Sequence, residues 1–135
     1  GRPWFAMELV PGVALDAYCA TERPTLAQRL RLLIRVCRAV QHAHDRGIVH
    51  RDLKPSNVLV QRVDGEAMPK LIDFGIASGT ATRAERAGTD AYMSPEQLRD
   101  DAAVDVRNDV YAIGVILCEL LAELPAPRVS ALVRG

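Results

Sequence analysis

Apolar and polar positions fall into distinct rhythms along this chain. From residue 26 onward Leu26, Leu30, Leu33, Cys37, Val40 and His44 recur at steps of four and three. That spacing predicts one buried stripe on an α-helix. Thr25 and Gln28 form a capping-box pattern at its start, with Pro24 just before, and Gly47 is placed to stop it. Arg29, Arg31, Arg35 and Arg38 fall mostly off the stripe and are predicted to lie on a solvated face. A second helix is predicted over "NDVYAIGVILCELLAEL" (108–124), apolar on nearly every side. Its unbroken apolar run, Val110 to Cys118, is nine residues before Glu119 and Glu123 interrupt. A membrane span needs about twenty, so the pattern predicts a buried central helix.

Shorter segments fill the space between. "ALDAYCA" (14–20) reads as a short helix, and "SPEQL" (94–98) opens another, with Ser94 as N-cap and Pro95 at the first helical position. "WFAMELV" (4–10), "GIVH" (47–50), "NVLVQ" (57–61) and "PKLIDF" (69–74) read as short strands. Pro11-Gly12 closes the first, and "DGEAM" (64–68) turns between the last two. Residues 75–91 carry no apolar period and read as a loop. The predicted class is α+β, mainly α-helical.

Composition narrows the picture modestly. With 135 residues, 49% of them hydrophobic, the chain can pack a core as one modest domain or part of a larger one. Seventeen Lys and Arg balance seventeen Asp and Glu, which gives no reason to expect a nucleic-acid or acidic-membrane partner. Cys19, Cys37 and Cys118 have no C-x-x-C spacing and sit among apolar residues, as core thiols of a reducing compartment do. Glu8 and Asp16 interrupt the first twenty residues, so no signal peptide is predicted. The chain starts without Met inside an apolar run, which suggests a piece of a longer protein.

The candidate chemistry lies where strands give way to loops. "IVHRDLKPSN" (48–57) places Asp52, Lys54 and Asn57 in one loop, and Asp73 ends a following strand. Asp52 and Asn57, an acid and an amide, together with Asp73, a second acid from another loop, are hard oxygen ligands suited to Mg²⁺, which takes waters and substrate phosphates as its remaining ligands. Lys54 can place positive charge on a transferring phosphoryl group. A carboxylate that the metal does not need can orient an attacking hydroxyl and accept its proton. The set suits phosphoryl transfer, in which the protein mainly positions groups and neutralises charge.

With those residues in place, the chain resembles the C-terminal lobe of a eukaryotic-type (Hanks-type) serine/threonine protein kinase. "HRDLKPSN" (50–57) resembles the family's catalytic loop and "DFG" (73–75) its metal-binding triplet. "GTDAYMSPE" (88–96) is similar to the end of its activation segment, with Ser94 where Ala is commoner. "DVYAIGV" (109–115) is similar to the start of its central helix. Four motifs in the family's order, over residues 4–125, make the likeness specific, and "YMSPEQ" is similar to bacterial members.

The resemblance implies a protein-kinase-like fold in which this chain supplies the C-terminal lobe with its hinge strand. It implies ATP and Mg²⁺ as cofactors and a protein bearing Ser or Thr as substrate. Asp52 would be the catalytic base or orienter and Lys54 would contact the γ-phosphate. Asn57 and Asp73 would hold Mg²⁺. Met7 would stand behind the adenine, Glu8 to Val10 would form the hinge, and Leu59 would pack under the base. His50 and Phe74 would stack in the core, and Asp109 would hold the backbone of the catalytic loop. Arg51 would await an anion, and Glu85 stands where many relatives carry a phosphorylated Thr.

Some family parts do not occur in these 135 residues: there is no G-x-G-x-x-G, and Lys54 and Lys70 are the only lysines. Lys70 precedes "LIDF", the wrong context for the family's strand lysine. The expectation is therefore a partial kinase domain, missing its N-terminal lobe and later helices, inactive and a weak ATP–Mg²⁺ binder when isolated. The implied location is cytoplasmic for this lobe, with membrane anchoring of a longer chain left open. A non-catalytic scaffold of the same family is the alternative reading. An unrelated Mg²⁺-dependent hydrolase using Asp52 and Asp73 is a third, for which Lys54 and "SPE" would be accidents.

Overall fold

The computed structural model describes residues 8–74, 89–99, 105–123 and 126–134. The chain runs β1 (Val13–Ala14), α1 (Leu15–Glu22), α2 (Leu26–His44), a 3₁₀ turn (Pro55–Asn57), β2 (Val58–Val63), β3 (Glu66–Leu71), α3 (Pro95–Leu98), α4 (Val106–Ala122) and α5 (Ala126–Arg134). The three strands form one antiparallel sheet in the order β1-β2-β3. This is the helix-rich α+β arrangement that the sequence predicts.

Helix α2 begins with the predicted capping box: Thr25 N–H donates to Gln28 Oε1 at 2.7 Å and Gln28 N–H to Thr25 Oγ1 at 3.3 Å. Such a cap satisfies two of the four orphan N–H groups of the first turn. The buried face is rotated from the predicted stripe. Leu32, Leu33, Val36, Val40 and Ala43 are buried, whereas Leu26 is 52% exposed. The cause is that α2 packs on both β3 and α4, which widens and shifts its inner face.

Two arginines predicted to be solvated are instead fixed. Arg29 Nη1 donates to Leu120 O at 3.0 Å, Arg29 Nε donates to Pro24 O at 3.0 Å, and the guanidinium pairs with Glu123 at 2.7 Å. It thereby caps the C-terminal end of α4, where carbonyls lack helical partners. Arg35 donates to Ala67 O at 2.7 Å and pairs with Glu66 at 2.8 Å, tying α2 to the strand hairpin. Arg31 and Arg38 are exposed as predicted.

The hairpin β2–β3 turns at Asp64-Gly65, both with positive φ (50° and 82°), the geometry a two-residue hairpin turn requires. Gly12 precedes β1 because a Cβ there would sit 2.9 Å from Val60 O. The predicted strand at 4–10 is not seen over its described part: residues 8–10 are irregular, and pairing with β2 begins at Val13. "GIVH" is likewise no strand. Its Ile48 N–H returns to Ala43 O at 3.0 Å and its His50 N–H goes to a side chain, so no backbone ladder is available to it.

One core cluster joins α1, α2, β2 and α4 through Leu15, Val36, Val58 and Ile116, each at most 1% exposed. Burying each such side chain contributes about 1.5–3 kcal/mol. Helix α4 is less enclosed than its sequence suggests: Val110 is 60% and Leu121 50% exposed. Helix α5, which the apolar pattern does not predict, packs Val129 against Ala91 and Val115. The three cysteines are free and half-buried, and burial pushes the Cys19 and Cys37 thiols up. No helix among the described residues is long and apolar enough to cross a membrane.

Candidate active site

The site is built on one buried carboxylate. Asp109, in the first turn of α4 and 1% exposed, accepts three hydrogen bonds. His50 N–H donates to its Oδ2 at 2.8 Å, Arg51 N–H to Oδ1 at 2.9 Å, and His44 Nε2 reaches Oδ2 at 2.7 Å. The carboxylate only accepts, so His44 carries its proton on Nε2. Charge-assisted bonds of this kind are roughly twice as strong as neutral ones. They hold Arg51 at φ 72°, a left-handed conformation that costs a non-glycine residue about 1–2 kcal/mol.

His50, fully buried, is fixed at both ring nitrogens. Nε2 donates to Ile72 O at 2.9 Å, and Nδ1 accepts from Asp52 N–H at 3.4 Å. Its ring lies 4.6 Å from that of Phe74, centroid to centroid. It therefore packs and orients, as the resemblance implies for both residues, and links the loop before Asp52 to the segment that ends at Asp73.

Asp52 faces inward on one side and is paired on the other. Its Oδ2 receives Lys54 Nζ at 3.0 Å and Asn57 Nδ2 at 3.2 Å. Its Oδ1 is buried and has no hydrogen-bond partner among the described residues. A buried acceptor without a donor costs free energy, so such an atom marks a place where a donor belongs. Lys54 Nζ also donates to Thr89 Oγ1 at 2.8 Å, which draws the chain after the 75–88 segment against the loop.

Asn57, 7% exposed, commits its amide nitrogen to Asp52 O at 2.7 Å, which turns its Oδ1 the other way. Its own backbone carbonyl accepts from Ile72 N–H at 3.0 Å. The antiparallel register Val58↔Leu71 extends one step through that bond and brings Asn57 beside the residue before Asp73. Asp73 is exposed and has φ 59°. A hairpin thus brings the backbone at Asn57 next to that at Ile72, one residue before Asp73.

Leu59 alternates with Val58 and Val60, both buried in the core, so it stands on the other face of the sheet. Its cross-strand neighbours are Ala14 and Lys70. Lys70 pairs with Glu8 at 2.6 Å, which ties the irregular 8–10 segment to β3. Val10 is half-buried. Met7, Gly75 and Glu85 lie outside the described residues, and with Glu85 the expected pairing to Arg51.

Several supporting residues escaped the sequence pattern. His44 was legible only as a member of a helical stripe, yet it bonds Asp109 across 65 positions. Gln97 caps α3 and also donates to Arg51 O at 3.3 Å. Tyr92 donates to Glu119 Oε2 at 2.9 Å, and burial together with that carboxylate pushes its phenol well above the usual tyrosine range.

Comparisons with known proteins identify the family of the chain. The family described as "Protein kinase domain" matches residues 2–130. Serine/threonine-protein kinase PknB of Mycobacterium tuberculosis is 39% identical over 131 residues, covering 91% of this chain and 20% of that protein. Serine/threonine-protein kinase AfsK of Streptomyces coelicolor is 46% identical over 121 residues, covering 85% of this chain and 15% of that protein. The chain thus spans a fifth or less of the length of these relatives. Among solved structures, the PknI kinase domain of M. tuberculosis superposes with a TM-score of 0.66 at 33% identity, over 88% of this chain and 44% of that one. The chain belongs to the protein kinase domain family.

Proposed function

We propose that this chain supplies the catalytic loop of a serine/threonine protein kinase, which transfers the γ-phosphate of ATP to a Ser or Thr hydroxyl of a protein. The observation that carries the reading is the cluster around Asp52, whose Oδ2 is held by Lys54 at 3.0 Å and Asn57 at 3.2 Å. The Asp52 side chain is still 36% exposed, so a substrate hydroxyl can approach the carboxylate from its open side.

The hydroxyl oxygen forms the new bond to the γ-phosphorus as the bond to the β–γ bridging oxygen breaks. The hydroxyl proton passes to Asp52. Lys54, beside Asp52 and braced by Thr89, lends positive charge to the transferring group. The donor set fits the family's use of ATP with Mg²⁺: Asn57 Oδ1 and the Asp73 carboxylate are hard oxygens at the end of one hairpin. Those two residues would hold Mg²⁺, which when bound neutralises phosphate charge. Leu59, the 8–10 segment and Met7 would border the base.

The test is phosphoryl transfer from labelled ATP by the full-length protein. Asp52→Ala should lower kcat by about 10²–10⁴-fold, the usual worth of positioned acid–base assistance. Asp73→Ala should abolish Mg²⁺-dependent nucleotide binding by calorimetry. Full transfer by the Asp52 variant would overturn the assignment.

A further inference from the structure

Gln97 makes two different hydrogen bonds with one side chain. Its Oε1 accepts from Ser94 N–H at 3.0 Å, completing the capping box of α3, in which Ser94 Oγ accepts from Gln97 N–H at 3.3 Å. Its Nε2 donates to Arg51 O at 3.3 Å, 46 positions away. Only the first bond serves the helix. Glu fills this third helical position equally well in a capping box, so the cap alone gives no reason for an amide.

The carbonyl that Gln97 holds belongs to the peptide linking Arg51 to Asp52. The N–H of that same peptide, Asp52 N–H, donates to His50 Nδ1 at 3.4 Å. The preceding peptide is held by Asp109 through Arg51 N–H at 2.9 Å. Arg51 itself is left-handed, at φ 72°. The orientation of one peptide plane therefore sets where the Asp52 side chain emerges, and Gln97 is its contact from the side of α3. Thr89, which leads toward α3, braces Lys54 in the same loop at 2.8 Å.

We propose that Gln97 is a positioning residue for Asp52: its amide couples the seating of α3 to the aim of the catalytic carboxylate. This rests on the role proposed for Asp52. The coupling predicts that a change confined to the Nε2 donor lowers turnover while leaving α3 formed. Ground-state nucleotide binding should be spared, since no residue assigned to the base or to Mg²⁺ touches Gln97.

Gln97→Glu separates the two bonds. The carboxylate still accepts from Ser94 N–H, but it cannot donate to Arg51 O and sets an oxygen against an oxygen. Ser94→Ala is the converse, removing the hydroxyl cap and keeping the amide tether. Both variants are compared with wild type in the full-length protein by melting temperature, kcat, KM for ATP, and hydrogen exchange of individual amides.

For Gln97→Glu we expect kcat to fall roughly tenfold or more, within the range a misplaced catalytic group produces. KM for ATP should stay within about twofold. The Asp52 amide should exchange faster while the Gln97 amide keeps its protection. Ser94→Ala should lower the melting temperature with kcat within about twofold of wild type. The inference is overturned if Gln97→Glu retains wild-type kcat and Asp52 exchange. It is equally overturned if Ser94→Ala loses as much kcat as Gln97→Glu, because the cap would then explain both. Were the wild type to transfer no phosphate, the kinase reading would fall, and amide exchange at Asp52 would still decide the tether.

Discussion

Asp109→Asn is a nearly isosteric change at the point where the loop around His50 and Arg51 is fastened. Oδ2 accepts from His50 N–H and His44 Nε2, and Oδ1 accepts from Arg51 N–H. An asparagine has one acceptor oxygen. Placed at the Oδ2 position, that oxygen keeps two donors, and the new NH₂ then points at the Arg51 N–H. Two bonds change from charge-assisted to neutral, a loss of about 1 kcal/mol each, and an unsatisfied donor costs about 1–3 kcal/mol. Relief from burying a charge at a 1% exposed site offsets part of this. The net is a destabilisation of about 2–3 kcal/mol. With urea slopes of about 1–3 kcal/mol per molar for small domains, the unfolding midpoint should fall by about 1 M. Urea unfolding followed by circular dichroism reads that shift, and a phosphotransfer assay reads the accompanying loss of kcat as Arg51 leaves its left-handed conformation. A variant with the wild-type midpoint and wild-type turnover would refute the claim that this carboxylate fastens the loop.

Three further changes test other parts of the fold. Arg29→Ala removes the guanidinium cap on Leu120 O and should cost about 1–2 kcal/mol, because a partly buried carbonyl loses its charged donor while the exposed Glu123 pair adds little; an unchanged urea midpoint would sink the capping role. Gly12→Ala places a Cβ 2.9 Å from Val60 O and should cost about 1–3 kcal/mol, with faster amide exchange in β1; a wild-type melting curve would contradict the close approach. Tyr92 stays protonated in the fold above its ordinary value of 10.0, through burial first and the Glu119 charge second. Its contribution is therefore whole below pH 10 and is lost as pH rises beyond that, where the unfolded chain gives up a proton that the folded chain keeps. Tyr92→Phe should flatten the alkaline fall in stability, and an unaltered slope would argue against the buried phenol.

What could be read from the sequence is what is local in it. The cap of α2 needs only Thr25 and Gln28, and its geometry is the predicted one. Asp52, Lys54 and Asn57 share one loop, so their meeting was visible as a motif. Features that depend on distant partners were not visible. Nothing near Arg29 announces Leu120 O, 91 positions on, so it read as one more solvated arginine. Lys70 and Glu8 meet across 62 positions, and nothing near either residue announces the other. "GIVH" was misread for a physical reason: Ile48 and Val49 have strand-like side chains, but strands are made by partners, and the backbone here is bound to Ala43 and Asp109 instead.

The fastening of the His50–Arg51 loop by Asp109 also sets an order of events during synthesis. His50 must wait 59 residues for the carboxylate that will hold its amide. At about 5–20 residues per second on the ribosome, that interval is about 3–12 s. Through it α2 can form and the β2–β3 hairpin can close, since both are local, while Arg51 has no reason to adopt a left-handed backbone. A chain arrested before α4 would therefore carry every residue of the "HRDLKPSN" motif without the means to aim them. The order of this loop arrives late and all at once, with the first turn of α4.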